Sequence, residues 1–486
     1  MDAPPLRVLI VASEVAPFAK SGGLADVMGS LPPALRRRGL DIRVLTPRYG
    51  WIDRDRLKPH DSPVGVPVGP TERWCAVFED DLDGAPVYLL EHDALYDRPY
   101  LYGPPGKNYA DNCLRFALLS RAALQLCHHL DWWPDVLHAN DWQAALIPVY
   151  LNTVAGESPL CRAASLLTIH NLAYQGWFLR GDAATINLGP DLDHLGLEAY
   201  DAINLLRGGI LHATLVNTVS PTYAKEIQTS WYGEGLDTVL RSRAADLFGV
   251  LNGIDDRRWD PANDALIPRR FTADDLSGKR YCKAQLQQEA GLPQRPEVPL
   301  VGMVTRLSRQ KGVDVVAATL QRLLDLGMQL VLLGSGDPWA EEFFIEASRQ
   351  HRQRFHAWMT FDERLAHLIE AGSDFFLMPS RWEPCGLNQM YSMRYGTIPI
   401  VRATGGLHDT GQAFDEDRGS GTCFKFHDLT PDALVDVAAW ATRVYRERPL
   451  AMADLVQRAM EQDFSWSRAA ASYEYLYRLA CVRKAG

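Results

Sequence analysis

The sequence predicts an α/β protein with two Rossmann-like domains whose parallel sheets face a central cleft. Short apolar runs alternate with amphipathic stretches from residue 7 onward, which predicts buried parallel strands joined by helices. The same alternation begins again at Leu300, after a segment rich in turn residues at 249–261. A chain of 486 residues is also too long for one ordinary domain.

The elements follow from these patterns in chain order. Apolar runs predict strands at 7–12, 42–45, 87–90, 136–138, 164–169 and 215–219, and then at 300–304, 330–333, 355–358, 375–378 and 398–401. Helical periodicity covers 24–38, 112–129, 142–151, 311–326 and most of the last forty residues. The predicted domains are 1–255 and 256–460, with a C-terminal helix at 461–486 that packs back on the first domain.

Composition limits the classes of function that fit. The net charge of −10 argues against non-specific binding to nucleic acid or to an anionic membrane. No uncharged apolar stretch is long enough to span a bilayer, and residues 1–14 lack a signal-peptide pattern, so a cytoplasmic protein is predicted. The eight cysteines and thirteen histidines show no metal-ligand spacing, so neither a bound metal nor a cofactor is expected.

The loop between the first strand and helix carries Lys20, Gly22, Gly23 and Asp26. Glycines at such a turn let backbone N–H groups approach a phosphate at the helix N-terminus, and Lys20 adds a positive charge. The same residues also fit a tight turn that needs glycine for a positive φ, with Lys20 in solvent. Both interpretations stay open on this segment alone, because it matches neither common glycine-rich nucleotide motif.

A basic loop follows the first strand of the second predicted domain. Residues 305–312 include Arg306 and Lys311 at the cleft edge of that domain. Arginine offers a bidentate fork to a diphosphate and lysine a point charge. Basic turns are usually solvated, but the position at the carboxyl end of a strand favours a binding function.

Two further loops in this domain end strands and begin helices. Residues 379–389 place Glu383 before Cys385 and Gly386, whose N–H groups would point toward a ligand. The carboxylate suits sugar hydroxyls or a developing positive charge. It also fits a simple favourable charge near a helix N-terminus. The glycine turn at 403–407 repeats the same design and is a second candidate phosphate cradle.

Eight segments occur together in one order. They are KSGGLADV, HANDWQAAL, TIHNLAYQG, NTVSPTYAKEI, VLNGID, TRLSRQKG, PSRWEPCGLNQMY and RATGGLHDT, and they run from about residue 8 to about residue 425. In these motifs the chain resembles bacterial glycogen synthases and plant starch synthases. The resemblance implies a GT-B type fold and an enzyme that transfers glucose from ADP-glucose to the non-reducing end of an α-1,4-glucan such as glycogen, with retention.

The resemblance also implies residues that bind the donor. Lys20, Arg306 and Lys311 would neutralise the departing diphosphate, because fixed cations stabilise the charge that develops in the transition state without a metal. Other donor-binding positions matched to the family are Gly23, Asp26, Asn252, Phe361, Cys385, Gly386, Leu387, Thr404, Gly405 and Gly406.

Three residues match positions that face the transferred glucose in the family. Glu383 matches the essential acid, His170 lies in the THN turn, and Asp141 lies in the HANDW turn. For His170 alone, a core histidine bonded to backbone would be the simpler interpretation. The surrounding motif is what favours a catalytic position.

Three aromatic positions bear on specificity. Tyr391 stands where many related sugar transferases carry a second acid, which favours the glycogen and starch synthase group. Phe361 falls where the family tends to have a tyrosine on the adenine, so a stacking face is kept while base selectivity stays open. Tyr102 is assigned to acceptor binding, although the aromatic segment 96–109 fits a buried cluster equally well.

The favoured mechanism is a front-face displacement, because no second carboxylate is evident as a nucleophile. Three alternatives stay open: the same chemistry with UDP-glucose or a small sugar acceptor, a sugar-nucleotide epimerase on the same fold, and a glucan-binding module without activity. The intact set Lys20, Arg306, Lys311 and Glu383 argues against the last of these.

Overall fold

The computed structural model describes residues 4–189 and 191–486. Residues 1–3, which belong to the predicted first domain and to the segment 1–14 that lacks a signal-peptide pattern, lie outside the described residues. Unit 1 consists of Met1–Gly253 and Trp466–Gly486, and unit 2 of Ile254–Ser465. The boundaries therefore fall after 253 and 465 rather than after 255 and 460. Ile254 and Ser465 form a parallel bridge, which holds both ends of unit 2 in that unit.

Unit 1 contains thirteen strands and, before its C-terminal segment, eight α-helices within the described residues. The strands are β1 (Arg7–Val11), β2 (Asp41–Pro47), β3 (Lys58–Pro59), β4 (Val64–Val68), β5 (Thr71–Leu82), β6 (Ala85–Glu91), β7 (Val136–Asn140), β8 (Ala164–Ile169), β9 (Trp177–Leu179), β10 (Glu198–Ala199), β11 (Ala202–Asn204), β12 (Leu215–Thr218) and β13 (Leu247–Gly249). The helices are α1 (Gly23–Arg37), α2 (Asp93–Tyr96), α3 (Asn112–His129), α4 (Asp141–Ala144), α5 (Leu146–Thr153), α6 (Leu205–His212), α7 (Pro221–Glu226) and α8 (Asp237–Ser242).

The main sheet of unit 1 has the order β13-β12-β8-β7-β1-β2-β6-β5-β3, with β4 paired to β5. Strands from β13 to β6 are parallel, and the mostly buried runs of β1, β2, β6, β7, β8 and β12 are typical of strands covered by helices on both faces. The wholly parallel sheet that the sequence predicts is incomplete, because β3, β4 and β5 add an antiparallel edge. Only Cys75, Val77 and Phe78 are buried in strand β5, which therefore lacks the buried apolar run of a central strand.

Unit 2 repeats the design with one six-stranded parallel sheet in the order β16-β15-β14-β17-β18-β19 within the described residues: β14 (Leu300–Val304), β15 (Gln329–Leu333), β16 (Phe355–Trp358), β17 (Phe375–Met378), β18 (Ile398–Arg402) and β19 (Phe424–Phe426). Its helices are α9 (Ser277–Glu289), α10 (Val313–Asp325), α11 (Pro338–Gln350), α12 (Glu363–Gly372), α13 (Asn388–Arg394), α14 (Gly405–Thr410), α15 (Pro431–Glu447) and α16 (Pro449–Met460). Helix α10 begins at Val313 rather than at the predicted Lys311, because Gly312 is left-handed.

The last helix, α17 (Trp466–Ala485), belongs to unit 1 and packs against α1 and β8. Tyr477 of this helix is fully buried, and its hydroxyl oxygen lies 2.9 Å from Nδ1 of His138 on β7. The other nitrogen of His138 lies 2.7 Å from the Thr168 hydroxyl, which donates to Asn217 at 2.6 Å. This buried network joins α17 to three neighbouring strands. No helix in the described ranges combines the length and the apolar character needed to cross a bilayer.

The buried network makes stability depend on pH. Burial, and to a smaller extent His170, lowers the pKa of His138 from 6.5 to about 3. The folded protein keeps this ring neutral while the unfolded chain protonates it, so stability is lost as the pH falls below 6.5 toward 3. At about pH 4.5 the loss from His138 alone is about 2–3 kcal/mol relative to pH 7.

Equilibrium unfolding at the two pH values tests this expectation. We expect His138→Gln to show a smaller difference in unfolding free energy between pH 7 and pH 4.5 than the wild type. The exposed His194 provides the matched control, since His194→Gln should leave that difference unchanged. A His138→Gln variant with the full wild-type pH dependence would contradict the assignment.

Candidate active site

A buried carboxylate, Glu14, organises the loop between β1 and α1. Glu14 is 3% exposed, and its two oxygens accept hydrogen bonds from the N–H (2.5 Å) and the hydroxyl (2.7 Å) of Ser21. Lys20 lies at the surface of this loop, and its ammonium pairs with Asp26 at 2.6 Å. Gly23 is exposed and begins α1. The predicted donor-binding residues of this loop therefore lie together at the carboxyl end of β1.

Tyr102 is tied to the same carboxylate. Its hydroxyl donates to Glu14 at 2.5 Å and lies 2.8 Å from the Ser13 hydroxyl. Burial raises the pKa of Tyr102 well above its ordinary value, so the phenol stays protonated as a donor. Tyr96 in the same segment is fully buried and Tyr100 is exposed. Glu14 was missed by the sequence reasoning, although a carboxylate directly after a buried apolar strand was a usable signal.

The turns after β7 and β8 meet through Asp141 and His170. Asp141 accepts the N–H of His170 at 2.7 Å and has a left-handed φ of +55°, which aspartate tolerates better than most residues. Nε2 of His170 lies 2.9 Å from Oδ1 of Asn140. The Asn140 amide nitrogen donates to the carbonyls of Val11 and His138, so its oxygen faces the ring. Nε2 therefore carries the proton, and Nδ1 is the acceptor.

Burial sets the charge of these two groups. It raises the pKa of Asp141 from 3.8 to about 7, against the opposing effect of two backbone N–H donors. It lowers the pKa of His170 from 6.5 to about 3. At neutral pH His170 is therefore an uncharged ring that can accept a hydrogen bond from a hydroxyl group without placing a positive charge in the site.

Asn252 follows β13, whose carboxyl end lies at the same edge of the sheet as those of β7 and β8. Asn252 is 7% exposed, and its Oδ1 has no hydrogen-bond partner among residues 4–189 and 191–486. An unpaired buried amide oxygen costs about 1–3 kcal/mol. Such an atom suits a hydrogen-bond donor supplied by a ligand.

In unit 2 the loops after β14 and β17 meet through Lys311 and Glu383. The ammonium of Lys311 lies 2.6 Å from Oε2 of Glu383, whose side chain is 6% exposed. The Ser380 hydroxyl donates to the same oxygen at 2.9 Å. Both bonds use Oε2, so Oε1 remains unbonded within the part of the chain that the structure describes. The predicted acid thus has one oxygen held and one available.

Gly312 makes this contact possible. Its φ is +72°, and a Cβ at this position would lie 2.1 Å from the carbonyl oxygen of Pro379. Glycine alone allows both the left-handed backbone and the close approach that brings Lys311 beside the loop after β17. Arg306 is exposed earlier in the same loop, and its guanidinium has no ion-pair partner among the described residues.

The turn at Gly405 and Gly406 packs directly on the backbone of the Glu383 loop. A Cβ on Gly405 would lie 2.0 Å from the Glu383 carbonyl oxygen, and one on Gly406 would lie 2.0 Å from that of Cys385. The N–H of Gly406 donates to the Glu383 carbonyl at 3.0 Å. Gly386 is left-handed, with φ +73°. The two predicted glycine turns of unit 2 are therefore one interlocked substructure.

The remaining predicted donor positions are spread around this substructure. Leu387 is half-buried before α13, and Thr404 is fully buried before α14. Phe361 stands between β16 and α12 and is 80% exposed, so its ring is available for stacking. Across the described ranges, no group of three or more His, Cys, Asp or Glu side chains is arranged to hold a metal ion.

Tyr391, at the position of the second acid in many related transferases, is part of an aromatic stack. Its ring lies 3.9 Å from that of Trp259, and His367 stacks on the other face of Trp259 at 3.8 Å. Nδ1 of His367 lies 2.7 Å from the buried Asp264 carboxylate. Tyr391 is 7% exposed, so this position packs α13 in place.

Residues 7–242 match the family described as starch synthase catalytic domain, and residues 285–448 match glycosyl transferases group 1. Glycogen synthase 1 of Geobacter metallireducens is 48% identical over 99% of this chain and 97% of its own length. Glycogen synthase of Anaeromyxobacter sp. strain Fw109-5 is 50% identical over 97% of this chain and 99% of its own. The catalytic domain of starch synthase IV from Arabidopsis thaliana, bound to ADP and acarbose, matches with a TM-score of 0.90 and 34% identity over 98% of this chain and 100% of that one.

Sucrose-phosphate synthase from Thermosynechococcus elongatus has a TM-score of 0.60 at 18% identity over 98% of both chains, and so is similar in fold alone. The fold and the similar proteins define a glycosyltransferase of the GT-B type, which confirms the predicted fold class. More narrowly, the chain belongs to the glycogen and starch synthase family. It is a glucosyltransferase of glycogen synthesis, as the motifs predict.

Proposed function

We propose that the protein extends α-1,4-glucan by transferring glucose from ADP-glucose to the non-reducing end, with release of ADP. The observation that carries the proposal is the ion pair of Lys311 with the buried Glu383, beside the exposed Arg306. The Arabidopsis starch synthase IV structure holds ADP and acarbose, which supports an ADP-linked donor here. The reaction would take place in the cytoplasm, the compartment expected from the sequence.

Arg306 and Lys311 are proposed to bind the diphosphate of the donor. The bond from the sugar to the diphosphate breaks with a growing negative charge on the leaving oxygen, and fixed cations stabilise that charge. Lys20 is proposed for the same group on the strength of the family resemblance, and its present partner Asp26 is a surface carboxylate that it can leave at small cost. The backbone of Gly405 and Gly406 supports the same part of the donor.

Glu383, His170 and Asp141 are proposed to contact the transferred glucose. The carboxylate of Glu383 stabilises positive charge at the anomeric carbon, and its ion pair keeps it oriented. The neutral ring of His170 accepts a hydrogen bond from a sugar hydroxyl through Nδ1. Asp141 keeps His170 in place through the backbone hydrogen bond already described.

We propose retention by front-face displacement. The C1–O bond to the diphosphate breaks, the acceptor 4-oxygen forms a bond to C1 on the same face, and the proton of the 4-hydroxyl passes to the departing phosphate oxygen. Position 391 carries a tyrosine stacked on Trp259 instead of an acid. It therefore supplies no carboxylate nucleophile for a double displacement. A covalent glucosyl adduct on Glu383 or Asp141, found by mass spectrometry of the quenched enzyme, would contradict this mechanism.

Donor choice depends on the contact between the protein and the nucleobase. Phe361 offers a ring face to a nucleobase but no hydroxyl, so UDP-glucose is the second candidate. Incorporation of labelled glucose into glycogen from ADP-glucose and UDP-glucose, each at equal concentration, separates the two. We expect ADP-glucose to be used about fivefold more efficiently, since a larger purine ring makes the better stacking partner and one well-placed ring contact contributes about 1 kcal/mol. Preference for UDP-glucose would overturn the donor assignment but leave the transferase assignment intact.

A further inference from the structure

Unit 1 carries a small second sheet that has no part in the proposed transfer. Its order is β10-β11-β9, and all pairs are antiparallel. Side chains on β9 alternate between its faces. Phe178 packs inward on the ring of Trp142 at 5.6 Å, while Trp177 and Leu179 on the other face are 44% and 76% exposed. Trp142 directly follows Asp141, so this sheet is built on the same turn as the unit 1 site.

Tyr200 stands at the tip of the β10–β11 hairpin in an unfavourable backbone conformation. The hairpin turn consists of Tyr200 and Asp201, with φ of +53° and +58°. Such turns favour asparagine followed by glycine, and a bulky residue with a positive φ is uncommon. The side chain of Tyr200 is 88% exposed, so burial does not offset the strain. Strain held without a packing benefit is typical of functional positions.

The rings of Tyr200 and Trp177 lie 6.3 Å apart and are tilted by 39°. On β11 the residue opposite Leu179 is Ala202, and the residue opposite Trp177 is Asn204. On this sheet Arg180 pairs with Glu198 at 2.6 Å, while Asp201, next to Tyr200 in the hairpin turn, is exposed. The two rings therefore form an aromatic surface that faces solvent, with Asp201 as the adjacent charged residue of the turn.

We propose that Trp177 and Tyr200 form a stacking platform for an α-1,4-glucan chain. Pyranose rings present C–H faces that pack on aromatic rings, while their hydroxyls stay in water, so two exposed rings suit a polysaccharide better than a charged ligand. The identity of the ligand rests on the proposed function, in which a glucan is the acceptor. The platform would hold the polymer beside the turn that carries Asp141, and so raise the local concentration of chain ends.

Binding of glycogen and of maltoheptaose without donor tests the platform in the full chain. We expect Trp177→Ala and Tyr200→Asn each to weaken glycogen binding about tenfold in affinity electrophoresis or calorimetry. Transfer at saturating glycogen should keep its wild-type kcat while KM for glycogen rises by a similar factor. The exposed Trp74 on β5 is the matched control, and Trp74→Ala should bind as the wild type does.

Tyr200→Asn also distinguishes a binding role from a structural one. Asparagine tolerates the left-handed turn, so the variant should melt at or above the wild-type temperature while it binds glycogen less well. A lower melting temperature with unchanged glycogen affinity would assign Tyr200 to folding and overturn the platform. Wild-type affinity in Trp177→Ala, or an equal loss in Trp74→Ala, would also overturn it. Failure of the proposed function would appear differently, as a wild-type protein that transfers no glucose to any glucan.

Discussion

Replacing Glu383 by glutamine is expected to lower kcat for glucose transfer by about 10³-fold. Loss of one preorganised group at a reacting centre typically lowers kcat by about this factor. Glutamine keeps the size and one oxygen of the side chain but removes the negative charge beside the anomeric carbon. It also leaves the ammonium of Lys311 without its partner at 2.6 Å. Initial rates at saturating ADP-glucose and glycogen measure the effect.

Glu363 supplies the control, because it too is paired with a basic residue, Arg258, but is 44% exposed. Glu363→Gln should retain the wild-type kcat, since exposed ion pairs contribute little. Ser380→Ala removes only the hydroxyl that holds Oε2 and should cause a loss smaller than that of Glu383→Gln. A Glu383→Gln enzyme that keeps more than a tenth of the wild-type kcat while folding normally would exclude the acid role.

Alanine at Gly405 is expected to abolish most activity through the backbone alone. Its Cβ would lie 2.0 Å from the carbonyl oxygen of Glu383, so the two loops must separate. A displacement of about 1 Å in a catalytic group reduces rates about 10²-fold. The forced separation should also destabilise unit 2 by about 1–3 kcal/mol beyond the cost of the positive φ. Transfer rates and thermal unfolding of Gly405→Ala measure both effects.

Gly419 is a close match for this test, since it has φ +62° in the same unit but no atom within 4 Å of the point where a Cβ would lie. Gly419→Ala should cost about 1 kcal/mol of stability for the left-handed backbone and leave kcat unchanged. If both glycine variants lost activity equally, backbone strain rather than contact with the Glu383 loop would be responsible.

The parallel part of both sheets could be predicted because buried strands are short apolar runs, and every strand that the sequence predicts is present. The edge strands β3 to β5 could not be predicted in this way, since most residues of β5, including Trp74 and Asp80, are not buried and the apolar signal is weak. Gly312 shows a further limit. Its left-handed φ delays α10 by two residues, and its backbone lies close to that of Pro379, far along the chain.

The candidate site was predictable residue by residue only through the family motifs. Sequence spacing alone left both a binding and an ordinary structural interpretation open for Lys20 and Glu383. Sequence spacing could not predict contacts between residues far apart in the chain. Tyr102 and Glu14 are 88 residues apart, and Tyr477 and His138 are 339 residues apart. The strained tip at Tyr200 carried no sequence signal, because a tyrosine in a polar loop gives no indication of its φ.

The central claim, transfer of glucose to the non-reducing end of an α-1,4-glucan with retention, is tested most directly by the position and linkage of the added glucose. Glycogen is extended with radiolabelled ADP-glucose and then digested with an exo-hydrolase that releases maltose from non-reducing α-1,4 ends. We predict that nearly all of the label appears in maltose, and that Glu383→Gln yields none above background in the same time. Label that stays in the residual dextrin would place the glucose in another linkage or position and contradict the account.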